Sequence, residues 1–214
     1  MRDFPIFTTE YGVASLYFKE IPYKNIAYIR IRDVQPGFFE EHLKACVSFC
    51  RMAGAERVFA ADHDALEAYP LHALLLQMRG CARTQESKIK HLFPVTEETV
   101  AQWRQIHNEK LRAVDCAATL TRMDEKEILS SAGAYFVHDR GELLGIGWIG
   151  DGMLRAVAAV KPGAGECVMH TLMTLLEGQP MTLEVASTNE RAIRLYEKLG
   201  FVKTAEITRW YQVL

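Results

Sequence analysis

No apolar run in this sequence approaches the ~20 residues that a membrane-spanning helix needs. The opening Met1-Arg2-Asp3-Phe4-Pro5 has no apolar stretch behind its positive charge, so no secretory signal is visible there. Cysteine is sparse: five residues, an odd number, without the spacing of a disulfide framework. A chain of 214 residues can bury a core without such staples. A reduced, cytoplasmic protein is the expectation. Positive charge is not in excess, since 25 Lys and Arg stand against 27 Asp and Glu. A general nucleic-acid binder would carry a surplus of the former, so neither nucleic acid nor membrane is an expected partner. Fixed-period repeats, low-complexity tracts, paired zinc-type ligands, phosphate loops and G-x-S-x-G or H-E-x-x-H patterns are also missing.

What remains is ordinary globular material, 49% hydrophobic and 24% charged, enough for one large domain or two small ones. Residues 5–9, 13–20 and 26–32 are β-type runs punctuated by Tyr11-Gly12 and Pro22. After Pro36-Gly37, the apolar positions Phe39, Leu43, Cys46, Val47 and Cys50 form one helical stripe, with Gly54 as its C-terminal stop. Residues 57–61 read as a strand, and 71–78 as a buried segment whose type the pattern leaves open. The polar, aperiodic stretch at 81–87 reads as a linker.

Beyond it the pattern is clearer. Residues 89–93 suggest a strand, and Thr96 an N-cap before two carboxylates, opening helical sequence that runs with a break to about Leu129. Residues 135–138, 143–149 and 154–160 read as three antiparallel strands with tight turns between them. Then follow a helix at 167–176, a strand at 182–186, a helix at 190–199 and a final strand from Phe201. The order predicts an α+β domain with a mixed sheet.

Several clusters have a plain structural reading. Gly145-Ile146-Gly147-Trp148-Ile149-Gly150 spells a dinucleotide fingerprint, yet another strand follows where that motif needs a helix. The glycines then mark a bend or a close approach. His42, Cys46 and Cys50 share a helix face, but both cysteines belong to the apolar stripe, so packing outweighs metal binding. Asp62-His63-Asp64 reads as a solvated turn.

The densest signal lies late in the chain. Asn189 is a strong N-cap, Ala192, Leu195, Tyr196 and Leu199 share one face, and Gly200 with Phe201 closes the helix. A structural helix would satisfy all of this except the tyrosine, whose hydroxyl needs a partner inside an apolar stripe. The run Asn189-x-x-Ala192-x-x-Leu195-Tyr196-Glu197-Lys198-x-Gly200-Phe201 closely resembles the late motif of the GNAT superfamily of N-acetyltransferases.

That resemblance covers about residues 89–214, and it implies a GNAT-like fold with acetyl-CoA held between two diverging parallel strands, here 154–160 and 182–186. It implies Tyr196 as general acid for the departing thiolate, Asn189 near the pantetheine arm, and amides near Ala158 as the oxyanion hole. The family's pyrophosphate loop corresponds to residues 160–169, where Val160, Gly163, Gly165, Glu166, Cys167, Val168 and Met169 would form the cofactor contacts. The usual leading Arg or Gln and the later glycine pair are missing. Lys161 could compensate for this, while Glu166 opposes it. Cys167 is given no nucleophilic role.

Residues 1–80 weakly echo the same fold without the late motif, which suggests a smaller α/β unit and a degenerate copy before an 88–214 acetyltransferase domain. The implied activity is direct acetyl transfer from acetyl-CoA to a small-molecule or peptide amine, without a metal and with the base unassigned. The alternative is a non-catalytic module of the same fold. A third possibility keeps the fold and transfers a longer acyl group.

Overall fold

The computed structural model of the chain describes residues 5–81, 85–176 and 178–214. The chain divides into two compact units, Met1–Leu75 with Glu206–Leu214, and Leu76–Ala205. Three of the residues expected as a linker, Ala82, Arg83 and Thr84, lie outside the described residues, whereas Cys81 ends a strand and Glu86–Lys88 forms a 3-10 turn.

In the first unit, β1 (Ile6–Thr8), β2 (Gly12–Tyr17) and β3 (Ile26–Val34) form a meander, with the one-turn helix α1 (Ile21–Lys24) between the last two. Helix α2 (Phe39–Met52) then crosses to β4 (Arg57–Ala61), which pairs parallel to β3. The stripe read from the sequence is the buried face of α2: Phe39, Leu43, Cys46 and Cys50 pack on Ala27, Ile29, Val58 and Ala60. Gly54 follows the helix at φ +100°, the left-handed conformation that glycine takes without a Cβ penalty. The segment at 71–78, left open by its pattern, belongs to strand β5 (Leu71–Cys81). The Asp62 cluster is a turn: Asp62 pairs with Arg30, while His63 caps a 3-10 turn and stacks on Phe39 at 4.4 Å.

The second unit contains β6 (His91–Pro94), α3 (Val100–Leu111), α4 (Glu125–Ser131), β7 (Ala134–Asp139), β8 (Glu142–Gly150) and β9 (Met153–Ala159). These are followed by α5 (Gly165–Met173), β10 (Pro180–Ala186), α6 (Glu190–Lys198) and β11 (Val202–Gln212). Its strand order is β5-β10-β9-β8-β7-β6. Thr96 does not cap α3. Its carbonyl instead accepts the amides of Thr99 and Val100, so the helix begins a turn later than the carboxylates suggest.

The glycines of the false fingerprint have a packing cause. A Cβ on Gly145 would lie 2.7 Å from Val168 Cγ2, and one on Gly147 would lie 2.2 Å from Leu172 Cδ1. Helix α5 therefore rests directly on strand β8. On the opposite sheet face, Ala156, Ala158, Ile146 and Trp148 pack with Val100, Trp103 and Ile128 of the two preceding helices. Among the described residues, no helix is long and apolar enough to cross a membrane.

Candidate active site

The site is opened by one extra residue. Strand β9 pairs with β8 at Ala156 opposite Trp148 and at Leu154 opposite Ile149, which leaves Arg155 as a β-bulge. A bulge bends its own strand and increases the local twist. Its other neighbour, β10, pairs with β9 in parallel only at Met153–Thr182 and Leu154–Leu183. Past the bulge the two strands carry no further mutual register, and a gap opens between 155–159 and 184–186. The parallel pair of the first unit, β3 with β4, holds register over five residues from Ile26–Arg57 to Arg30–Ala61.

The bulge also decides which amides face the gap. Val160 N–H donates to Leu144 O on β8, and backbone direction alternates along an antiparallel strand, so the amide of Ala158 also points to β8. The amides of Val157 and Ala159 are therefore the ones turned toward the gap. Of the amides expected near Ala158, the inward ones are thus those of its two neighbours, and the Ala158 side chain lies in the core at 6% exposure.

From Val160 the chain turns into α5 through Lys161-Pro162-Gly163-Ala164. Ala164 N–H donates to Lys161 O, and Gly163 sits at φ +81°, the type II arrangement with Pro and Gly at the central positions. The first i→i−4 bond of α5 runs from Val168 to Ala164, so the amides of Gly165, Glu166 and Cys167 precede the helical ladder, and among the described residues no acceptor takes them. Val168 and Met169, also expected at the phosphate, are fully buried under the helix. Lys161 is bound to Glu142 at 2.5 Å on the surface.

Glu166 holds Lys88 at 2.5 Å and Lys198 at 2.8 Å. These contacts, Lys198 foremost, pull its carboxyl down to about 2. Lys88 arrives because its segment lies along α5: Gln85 N–H donates to His170 Nδ1, and Lys90 N–H donates to Thr171 Oγ1. Burial lowers the His170 pKa. Neither lysine was given a role in the sequence reading. A carboxylate at a helix start is already favoured by the helix dipole, so nothing in the local sequence signalled the two lysines, which come from segments distant in the chain.

Helix α6 comes close to this start, because a Cβ on Gly165 would lie 3.3 Å from Leu195 Cδ2. Asn189 caps α6 by accepting Ala192 N–H at 3.3 Å. At the other end, Phe201 N–H bonds Tyr196 O and Gly200 N–H bonds Glu197 O, with the Tyr196 and Phe201 rings 5.9 Å apart. This is a complete Schellman closure. It fixes the Tyr196 ring at 7% exposure, and burial pushes its phenol up to about 12. Among the described residues none bonds the Tyr196 hydroxyl, and since no fully enclosed side-chain oxygen is left unsatisfied there, that hydroxyl is not completely shut off from its surroundings.

Known structures share the fold of this chain. A GCN5-related N-acetyltransferase from Sphaerobacter thermophilus superposes with a TM-score of 0.58 at 14% identity, over 94% of this chain and 75% of that one. The fold is that of the GNAT acetyltransferases. A second GNAT protein, from Anabaena variabilis, gives a TM-score of 0.60 at 9% identity, over 94% of this chain and 59% of its own. A GNAT-family acetyltransferase from Colwellia psychrerythraea gives 0.50 at 12% identity, over 97% and 83%. No family model matches the sequence, and no curated protein does.

Proposed function

We propose that this GNAT-fold chain is an acetyl-CoA-dependent N-acetyltransferase in which an amine attacks the thioester directly. The observation that carries the reading is the parting of β9 from β10 at the Arg155 bulge, beside a buried tyrosine whose hydroxyl has no hydrogen-bond partner among the described residues. The residues present fit such a carrier. The amides of Gly165, Glu166 and Cys167, with Lys88 and Lys198, suit its phosphates, and the inward amides of Val157 and Ala159 suit the thioester oxygen.

The nitrogen forms the C–N bond as the C–S bond breaks, the nitrogen gives its proton to water, and the sulfur takes one back. Tyr196 is protonated across the working range. A complete proton transfer from a group near 12 to a thiolate of ordinary affinity is uphill by roughly 5 kcal/mol. Tyr196 thus acts first by donating a hydrogen bond to the charge that develops on sulfur, and it then relays a proton from water.

Calorimetry with acetyl-CoA and a thiol-release assay over a panel of amines test the reading together. Binding and turnover are expected, and Tyr196→Phe lowers kcat by roughly 100-fold while binding stays within about twofold. One observation favours a non-catalytic module: Glu166 places a negative charge inside the phosphate cradle. Absence of acetyl-CoA binding would establish that second reading. Turnover only with longer acyl-CoAs would keep the fold assignment and change the donor.

A further inference from the structure

We infer that His170 is a positioning residue for the cofactor phosphates: as a neutral acceptor it holds the segment that carries Lys88 to the start of α5, and protonation of its ring lets that segment go. This rests on the acyl-transfer reading and adds a pH control of the same site.

His170 lies inside α5 at 4% exposure, and residues 85–90 run along the helix beside it. Lys88 N–H donates to Gln85 O and Ile89 N–H to Glu86 O, which makes the tight turn that brings Lys88 to Glu166. The turn is fastened to α5 at both ends. Before it, Gln85 N–H donates to His170 Nδ1 at 3.3 Å, and after it, Lys90 N–H donates to Thr171 Oγ1 at 3.0 Å. The two fastenings differ in kind. Thr171 gives its own proton to Cys167 O at 2.7 Å, so its oxygen accepts at any pH. His170 accepts only while Nδ1 is bare, which puts the ring hydrogen on Nε2, 3.9 Å from Glu166 Oε1.

Protonation acts on Lys88 twice. A hydrogen on Nδ1 points at the Gln85 N–H, so two donors face each other and the fastening breaks. The new positive charge also competes with Lys88 for Glu166 Oε1, the same oxygen that holds Lys88 Nζ at 2.5 Å, whereas Lys198 bonds Oε2. The charged groups that face His170 are Glu166 on its own helix, Lys88 on the turn and Lys198 on α6. Among the described residues, strands β6, β8 and β9, which also pack on α5, add none. Burial foremost, and then the two lysines, lower the His170 pKa, while Glu166 raises it. The ring is therefore neutral at about pH 7.5, and the hold on Lys88 is lost as pH falls below the ordinary histidine value.

The test measures acetyl-CoA binding to the full chain by calorimetry at about pH 7.5 and about pH 5.5, in wild type, His170→Asn and Lys88→Met. The asparagine Oδ1 replaces Nδ1 with an acceptor that does not titrate. The cofactor's own phosphates titrate alike in every case, so the proteins are compared with one another at each pH. On going to the lower pH, wild type is expected to lose about tenfold more affinity than His170→Asn, as one lysine–phosphate contact implies. Lys88→Met is expected to bind about tenfold weaker at the higher pH and to show no such excess loss. In the free protein, hydrogen exchange read by nuclear magnetic resonance is expected to show the Gln85 amide losing protection about tenfold or more at the lower pH, while Lys90 keeps its own. Equal pH dependence in wild type and His170→Asn, or unchanged protection of Gln85, overturns the inference and leaves the acyl-transfer reading standing. Absence of acetyl-CoA binding at both pH values overturns that reading and the cofactor role together, and the Gln85 amide, measured without ligand, tells the two failures apart.

Discussion

Glu166 draws two ammonium groups to a helix start whose first three amides have no acceptor among the described residues. Its carboxylate competes with any incoming phosphate, while its lysines attract one. Glu166→Gln removes the competitor and releases both cations, so acetyl-CoA is expected to bind about two- to fivefold tighter. A calorimetric titration at low salt checks the sign. Because the Glu166 carboxyl is held near 2, its ion pairs add stability that is complete above the unfolded carboxyl value of 4.5 and is lost as pH falls toward 2.

His42 gives a second pH dependence, in a higher window. It is fully buried in α2, with Nδ1 2.8 Å from Thr9 Oγ1, and that hydroxyl already accepts the amides of Tyr11 and Gly12. The Thr9 proton therefore points at Nδ1, and the ring is neutral. Burial lowers the His42 pKa below 6.5, so the unfolded chain binds a proton that the folded chain refuses. Stability is expected to be full above that value and to decline as pH falls below it. Urea midpoints at about pH 7.5 and about pH 5.5, compared with those of His42→Gln, test this. The sequence showed His42 and its two cysteines as one face, and the structure adds why they are inert: burial lifts both thiols to about 12.

At the scale of elements, Gly145 carries the packing of α5 on β8. Its missing Cβ would sit 2.5 Å from Ala158 O, a backbone atom of the strand that leaves its partner at the bulge. Gly145→Ala is expected to cost about 1–3 kcal/mol, read as a lower urea midpoint, because neither strand can shift without disturbing the other. The order of these elements was legible in the sequence, since alternating apolar runs and turn residues specify strands locally and the α6 motif carries both of its caps. The bulge was not. Its one trace is Arg155, a charge inside an otherwise apolar run, and pairing register depends on strands distant in the chain. For the same reason the sequence reading went no further than amides near Ala158, of which those of Val157 and Ala159 turn inward. Gln85 fell within the stretch read as a linker, and its bond to His170 spans 85 residues, which no local pattern encodes.

For the whole molecule, the two units contain a similar strand–helix–strand crossover with opposite outcomes. Strands β3 and β4 stay paired over their shared length, and β9 and β10 do not. One acetyl-CoA per chain is therefore the expected stoichiometry, and a calorimetric value near two would contradict the closed pair. The division between the units runs inside β5 and β11, at Leu75 and Ala205, where neither composition nor turn residues mark a change. A boundary within a continuous strand has no signature in the sequence.

The parted strands carry one more consequence, in deuterated water. Amides of β3 and β4 that are locked in a mutual ladder should exchange slowly whether or not a ligand is added. Those of Val157 and Ala159, which face the opening, should exchange quickly in the free protein and become protected when a thioester oxygen takes their hydrogens. Deuterium uptake that changes only along β9 would locate the acyl group at the bulge without a crystal.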